Sequence, residues 1–190
     1  MAAFYTELSD ELIAFIREQK VFFVATAPAR GRINLSPKGM DTLRCLDGKT
    51  VAYLDITGSG NETAAHLIEN GRMTMMFCGF IGEPLILRLS GRGRVVHQRD
   101  AEWAMLAPLF PPLIARRQII VLDITMVQTS CGAGVPVLEF QHERDDLLNY
   151  WAERGQAGVE AYWASNNQVS IDGLPTRLLD WGLCVSQRGW

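Results

Sequence analysis

The residues best suited to binding a ligand lie in one turn-rich stretch, Thr57-Gly58-Ser59-Gly60-Asn61, which follows an apolar, strand-like run. Ser59 stands three residues before Glu62, and this capping-box spacing predicts that a helix begins here. The first N–H groups of a helix have no internal partners, and the helix dipole is positive at that end. Because two glycines allow close approach, a small anion such as a phosphomonoester could lie at Ser59, Asn61 and Thr63.

Spacing alone leaves two interpretations of this stretch open. The more common one is a helix capped by its own side chains without a ligand, and the other is an anion site. A nucleotide-binding P-loop is excluded because no lysine closes the loop. Lys38 would supply a positive charge if it faced the helix start from the edge of a sheet.

Strands and a helix must hold these residues in place. Residues 51–56 are apolar and β-prone, which predicts a buried strand, and residues 72–80 predict the next one. Between them, apolar residues at helical spacing give one buried face, and Asn70-Gly71 ends the helix. Pro37 cannot donate to a strand ladder, so Ser36 to Gly39 should interrupt the pairing and lie at a sheet edge or bulge.

Residues 85–96 alternate with a period of two, which predicts a long strand. Gly91 and Gly93 predict a bend of the kind that curls a sheet into a barrel. Arg88 is flanked by bulky apolar residues and is the candidate in this strand for an anionic or carbonyl-rich ligand. Arg92 and Arg94 fit a solvated sheet face.

The other segments complete a mainly β, α+β pattern. The sequence predicts helices at 7–19 (capped by Ser9), 100–107 (capped by Asp100), 142–154 and 158–163, and strands at 21–27, 32–35 and 117–127, the last central or buried under a partner. Six or more strands in hairpin order indicate a small antiparallel barrel with short flanking helices. Residues 1–140 are expected to form the barrel, and 141–190 a helical and extended segment that packs on it or on a partner chain.

The composition narrows the range of possible functions further. The chain has 190 residues, 48% of them hydrophobic and 21% charged, which is typical of a single globular domain. A net charge of −3 argues against nucleic-acid binding. No apolar run reaches membrane-spanning length, so a cytoplasmic location is expected. Four scattered cysteines and three isolated histidines predict reduced thiols and no metal site.

Five sequence segments together resemble a known family: FFVATA, GRINLSPKGMDTLR, YLDITGSGNETAAHL, NGRMTMMFCGF and ILRLSGRGRV. They are similar to the pyridoxamine 5′-phosphate oxidase-like family of flavin-binding split barrels over about residues 10 to 130. The later segments VQTSCGAGVP and SIDGLPT resemble a bacterial branch of that family. The series of segments carries the resemblance, since no single motif in it is specific.

The resemblance implies a six-stranded antiparallel split β-barrel and a homodimer with one FMN at each of two interface sites. The family's phosphate-binding serine falls on Ser59, a phosphate-binding lysine position falls near Asn61, and the strand arginine falls on Arg88. Lys38 is expected to compensate for the missing lysine. The candidate cofactor-binding residues are therefore Ser36, Lys38, Tyr53, Asp55, Ser59, Asn61, Thr63 and Arg88.

The same resemblance makes an FMN-dependent oxidoreductase acting on a small organic substrate the leading functional hypothesis. Hydride transfer belongs to the flavin, so no catalytic acid or base is nominated. The family's C-terminal basic residues for the pyridoxal substrate have no counterpart in SIDGLPTRLLDWG, which argues against oxidation of pyridoxamine phosphate itself. Two alternatives remain: a deazaflavin-dependent reductase using Arg72, Arg88 or Arg92, and a non-enzymatic flavin- or haem-binding protein with His66 or His97 as the haem ligand.

Overall fold

A computed structural model describes residues 2–180 of the chain. Over that range it contains eight strands, four α-helices and one 3₁₀ helix (Ala107–Leu109). The strands and helices follow in the order β1 (Ala3–Tyr5), α1 (Asp10–Glu18), β2 (Phe22–Thr26), β3 (Asn34–Lys38), β4 (Leu43–Cys45), β5 (Thr50–Ile56), α2 (Glu62–Glu69), β6 (Arg72–Cys78), β7 (Leu85–His97), α3 (Trp103–Leu106), β8 (Arg116–Cys131) and α4 (Asp146–Asn166).

All strands belong to one antiparallel sheet with the order β3-β2-β6-β7-β8-β5-β4, and β1 pairs with the far end of β8. The sheet curls so that its inward side chains form one core, which includes the fully buried Tyr53, Leu87 and Leu122. The predicted mainly β split barrel with flanking helices is therefore confirmed. Eight strands are present where six were expected, because β1 and β4 have only three residues each and give no periodic signal.

The long strands behave as their residue patterns indicate. β8 lies between β7 and β5, and most of its apolar residues are buried within this chain: Ile120 and Leu122 in the barrel core, and Ile119 and Val121 in a second apolar cluster on the other face. Met126 is 37% exposed. In β7 the register shifts between Ser90 and Gly91, which confirms an irregularity at the predicted bend. A Cβ atom at Gly91 would lie 2.0 Å from the Asp123 carbonyl oxygen, so only glycine fits there.

Pro37 is at the sheet edge, as predicted, but it does not interrupt the pairing. β3 is the terminal strand of the sheet order, and Pro37 stays in register with Phe23 of β2. An edge strand accepts proline because the side that lacks the N–H can face away from its neighbour. Asn34, Ser36 and Lys38 alternate with exposed Leu35 and Pro37, so these three polar side chains share one face of β3.

Two helix predictions are wrong in detail. The cap of α2 is Asn61, without a side-chain capping bond, and Ser59 is exposed; the Glu62 carboxylate instead accepts from the Ile171 N–H at 3.1 Å. The Asp100 carboxylate accepts from His97 N at 2.7 Å, and α3 begins only at Trp103. A distant partner, Ile171, decided the first, whereas in the second the Asp100 side chain bonds locally to the backbone three residues before it. The two predicted C-terminal helical segments are present as the two parts of α4, which meet at a kink at Gly155, where φ is 63°.

α4 packs against the barrel through a separate apolar cluster that includes Trp151, Val159 and Trp163. Both tryptophans donate to Thr57 at the end of β5: Trp151 Nε1 to its carbonyl oxygen at 2.9 Å and Trp163 Nε1 to its hydroxyl at 2.7 Å. The rest of the predicted tail, residues 181–190 with Cys184, lies outside the described residues. Within residues 2–180, no helix combines the length and the apolar character that a membrane crossing requires.

Candidate functional site

A cavity of about 1090 Å³ opens beside the edge strand β3. Its walls come from β2 and β3, from the loop after β6 and from the loop that joins β8 to α4, and they include Phe23, Lys38, Met40, Phe80, Leu138 and Phe140. The volume is at the upper end of the range that small-molecule sites occupy. The walls combine apolar surface with charged side chains of both signs, and the cations among them are Lys20, Lys38 and Arg144. Leu138 N donates to the Phe80 carbonyl oxygen at 3.1 Å and fixes one loop against the other.

Lys38 links this cavity to the interior of the barrel. Its Nζ lies 3.0 Å from Asp55 Oδ1 and 5.7 Å from the centre of the Tyr53 ring. The Lys38 side chain is 23% exposed, whereas that of Asp55 is 3% exposed. The ammonium group is therefore fixed from the inside and still reaches the cavity wall.

Asp55 is the centre of a buried polar network. Arg117 Nη2 donates to Asp55 Oδ2 at 2.8 Å, Arg117 Nε at 3.0 Å, and Gln118 Nε2 donates to the same oxygen at 3.0 Å. Burial by itself would raise the pKa of Asp55, but the charges and hydrogen bonds of Arg117 and Lys38 lower it to about 2. Asp55 is thus a carboxylate at neutral pH, and it positions two cations.

The same network reaches the beginning of α2. Gln118 Nε2 donates to Asn61 Oδ1 at 2.7 Å, and Arg117 Nη1 donates to the Gly60 carbonyl oxygen at 2.9 Å. The first helical hydrogen bond of α2 runs from Ala65 N to Asn61 O. The N–H groups of residues 62–64 therefore have no acceptor within the helix. The loop predicted to bind an anion is therefore joined through hydrogen bonds to Lys38.

The C-terminal part of the chain covers this loop. Asn167 follows α4 and is fully buried; its Oδ1 accepts from Arg117 Nη1 at 2.8 Å and its Nδ2 donates to Gly58 O at 3.2 Å. Asn61 Nδ2 donates to the Asn167 carbonyl oxygen at 3.4 Å. The Asn61 side chain and the carbonyl oxygens of Gly58, Gly60 and Asn61 thus all take part in internal hydrogen bonds.

Thr63 belongs to a neighbouring polar cluster. Asn34 Nδ2 of the edge strand donates to Thr63 Oγ1 at 3.1 Å and to Thr26 Oγ1 at 3.3 Å, and Thr26 Oγ1 lies 3.0 Å from His66 Nδ1. These contacts hold α2 over the end of the barrel. Asn34 is on the same face of β3 as Lys38, so this strand supplies polar groups to both clusters.

The structure unites most of the predicted site residues but not all of them. Lys38, Tyr53, Asp55 and Asn61 share one region, Thr63 is connected to it through β3, and Ser36 lies between Asn34 and Lys38 on that strand. Ser59 is exposed on the loop before α2. Which of these residues touch a cofactor stays a prediction.

Two predicted residues differ from the rest. Arg88 alternates with the fully buried Leu87 and Leu89, so it points to the opposite face of the sheet from the barrel core, where its Nη1 donates to Ser130 Oγ at 3.1 Å. Tyr53 is wholly inside the barrel, and its hydroxyl has no hydrogen-bond partner within residues 2–180. Burial, with the nearby Asp55 charge, raises the pKa of Tyr53 well above its usual value, so the phenol stays protonated.

The haem alternative gains no support from the two histidines it would require. His66 and His97 are 1% and 6% exposed, and neither lines the large cavity. Burial, with Arg99 nearby, lowers the pKa of His97 to about 4. Across residues 2–180 no three or more His, Cys, Asp or Glu side chains are grouped so that they could bind a metal ion.

Sequence reasoning missed Arg117, Gln118 and Asn167, although the first two left a signal. An aspartate inside the apolar run of β5 needs a cationic partner if it is buried, and Arg117-Gln118 opens the apolar run of β8. The register then pairs Asp55 with Gln118 directly. Asn167 had no such signal, since only the packing of α4 brings it to the loop before α2.

Comparisons with known proteins agree with this fold and with the family resemblance seen in the sequence. The family model described as pyridoxamine 5′-phosphate oxidase matches residues 8–131. A curated relative, the pyridoxamine 5′-phosphate oxidase family protein ustO of Aspergillus flavus, is 40% identical over 193 residues, which cover 92% of this chain and 78% of the relative.

Two crystal structures of HupZ from Group A Streptococcus share the fold. The single-residue variant has a TM-score of 0.53 and 20% identity over 64% of this chain and 98% of its own. The second structure has a TM-score of 0.51 and 21% identity over 62% of this chain and 89% of its own. At this level of identity the likeness concerns the fold alone.

Proposed function

The chain belongs to the pyridoxamine 5′-phosphate oxidase family, and from this membership we propose that it is a homodimeric, FMN-binding oxidoreductase that acts on a small organic substrate. The observation that carries the proposal is the cavity of about 1090 Å³ beside the edge strand β3, with Lys38 in its wall. Family membership suggests the class of cofactor, and a cavity of this size beside β3 supports a site for it.

The walls of the cavity suit a flat, partly polar ring system. Phe23, Phe80 and Phe140 offer apolar and aromatic surface, which stacks favourably on planar rings. β3 pairs with β2 on one side only, so its other side offers main-chain carbonyl and N–H groups to polar ring edges. Apolar surface with a few convergent polar groups is the usual composition of a cofactor site.

A phosphate group needs cations or free amides. Lys38 is fixed by a buried carboxylate and remains partly exposed at the cavity wall. Ser59 is exposed at the loop before α2, where the first-turn amides and the helix dipole favour an anion. We assign Lys38, Ser59 and these amides to the phosphate, and the chain of hydrogen bonds from Lys38 through Asp55 and Gln118 to Asn61 supports their acting together.

A bound flavin would supply the chemistry, because its ring accepts and returns hydride. The residues of this chain bind and orient it. Asp55 holds the Lys38 ammonium group in one position, and the apolar walls of the cavity limit the access of water. No side chain of the chain is required as an acid or base for this role.

Exposed apolar side chains are the evidence that favours the proposed dimer. Ile33, Leu35 and Phe4 are 78%, 64% and 61% exposed, and Leu35 and Phe4 belong to the short strands β3 and β1. Large exposed apolar groups of this kind mark interaction surfaces. The support for a dimer therefore comes from these residues. It does not come from Arg117–Val127, the strand predicted to be either central or buried under a partner, because this strand is central in the sheet and largely buried within one chain.

The visible spectrum of freshly purified protein tests the proposal. We expect flavin absorbance, either at once or after incubation with FMN, and sedimentation as a dimer at micromolar concentration. Protein that stays colourless after incubation rejects the FMN site. A parallel titration with a deazaflavin separates the two cofactor classes, and reduction of the bound flavin by NADPH with reoxidation by an acceptor separates an enzyme from a carrier.

A further inference from the structure

Residues 39–42 carry the chain from β3, at one edge of the sheet, to β4, at the other edge. These four residues form a tight corner, in which the Thr42 hydroxyl donates to the Gly39 carbonyl oxygen at 2.6 Å. Gly39 itself is confined, since a Cβ atom there would lie 3.0 Å from the Lys20 carbonyl oxygen. The corner thus spans the open seam of the barrel within four residues.

Two consecutive residues of this corner have left-handed backbone conformations. The φ angle is 64° at Met40 and 53° at Asp41. Aspartate is among the residues that adopt this region most readily, whereas an unbranched side chain such as methionine does so at a steric cost. Glycine or asparagine would suit position 40 better, so the backbone gives no reason for a methionine there.

The cavity gives a reason. Met40 follows Pro37, Lys38 and Gly39 along its wall, and its half-buried side chain lies in the same wall as Phe23 and Phe140. Methionine is flexible and polarisable, and its sulfur makes favourable contacts with aromatic rings. Residues with a strained backbone conformation are found most often at active sites and at sites that contact ligands.

We propose that Met40 is a ligand-contacting residue, held at the cavity wall by its left-handed backbone so that its thioether packs on the planar ring bound there. The proposal rests on the function proposed above and adds a residue to that site. It implies that stability and binding are opposed at this position. Replacing the side chain should relieve the backbone strain and raise the stability, but it should lower the affinity for the ligand.

Two measurements test the proposal. The first is the Kd for FMN, obtained from the quenching of FMN fluorescence during titration, and the second is the melting temperature. The variants are Met40→Asn, Met40→Leu and Arg177→Asn. Arg177 is the matched control because it is exposed, also left-handed (φ 54°), and does not line the cavity. We expect Met40→Asn to raise the Kd for FMN by about two- to tenfold, the equivalent of a thioether–aromatic contact, and to raise the melting temperature.

The controls should behave differently. Met40→Leu keeps the apolar volume and the strain but lacks the sulfur, so its melting temperature should stay close to that of the natural chain and its Kd should lie between those of the natural chain and Met40→Asn. Arg177→Asn should raise the melting temperature without changing the Kd. An unchanged Kd in Met40→Asn, a lower melting temperature, or dissociation of the dimer in that variant would each overturn the role of Met40. If the natural chain itself fails to bind FMN, the proposed function falls as well.

Discussion

Lys38 Nζ lies 3.0 Å from Asp55 Oδ1, and this ion pair joins the edge strand β3 to β5 across the open seam of the barrel. The two strands are not neighbours in the sheet, so the contact exists only because the sheet curls. Since the pKa of Asp55 is lowered to about 2, this carboxyl group stays ionised throughout the neutral range. The position of Lys38 on the cavity wall therefore depends on a buried carboxylate.

Asp55→Asn should destabilise the chain strongly. Arg117 is 3% exposed and would keep its charge without a buried counter-ion, which costs about 3–5 kcal/mol when one partner of a buried pair is removed. Urea unfolding measures this loss. Asp41→Asn is the control, because Asp41 forms an exposed ion pair with Arg44 and should contribute less than about 1 kcal/mol. Equal small losses in both variants would show that the network contributes little.

His97 should make stability fall in mildly acidic solution. Its pKa is lowered by burial to about 4 in the folded chain, against an ordinary value of 6.5. Between these values the unfolded chain binds a proton that the folded chain excludes, so this stability is complete above pH 6.5 and is lost as pH falls to about 4.

The measurement for His97 is unfolding free energy as a function of pH. His97→Gln should flatten the slope between these two pH values, removing a change of up to about 3 kcal/mol. His142→Gln, at an exposed position, should leave the slope as it is. If the His97 variant keeps the full slope, other groups cause the pH dependence.

The double variant Ser59→Ala with Lys38→Ala should weaken FMN binding by about 1–3 kcal/mol, as the loss of charge-assisted hydrogen bonds does. Calorimetric titration with FMN and with riboflavin, which lacks the phosphate, measures the effect. Only the FMN affinity should fall. Lys49→Ala is the control, since Lys49 is 64% exposed and lines no part of the cavity. An unchanged FMN affinity in the double variant would assign the phosphate to another part of the chain.

Asn167→Ala should loosen the beginning of α2. The change removes the acceptor of a buried Arg117 bond and the donor of a partly buried bond to Gly58 O, at a cost of about 1–3 kcal/mol. Hydrogen exchange should become faster at the amides of residues 58–65. Asn166→Ala is the neighbouring control, because Asn166 is exposed and bonds only within α4. Exchange rates that match in the two variants would mean that Asn167 does not hold the loop.

Much of the fold was readable from the sequence because its signals are local. The period-two pattern of β7, the apolar runs of β5 and β8, the cap at Ser9 and the edge position of Pro37 each depend on neighbouring residues. The capping-box prediction failed because a distant partner decided the outcome. Ser59 and Glu62 have the spacing of a capping box, but Glu62 bonds to Ile171, more than a hundred residues away.

The sequence by itself therefore determined the class of fold, the family and a set of polar residues near one helix start. Only the tertiary structure decided which of them act together: it closes Lys38 onto Asp55, turns Arg88 to the other face of the sheet, and brings Arg117, Gln118 and Asn167 to the loop before α2. The physical reason is that strand and helix periodicity fix the direction of a side chain locally. The partners of a buried charge, in contrast, are set by how the sheet curls and where α4 packs.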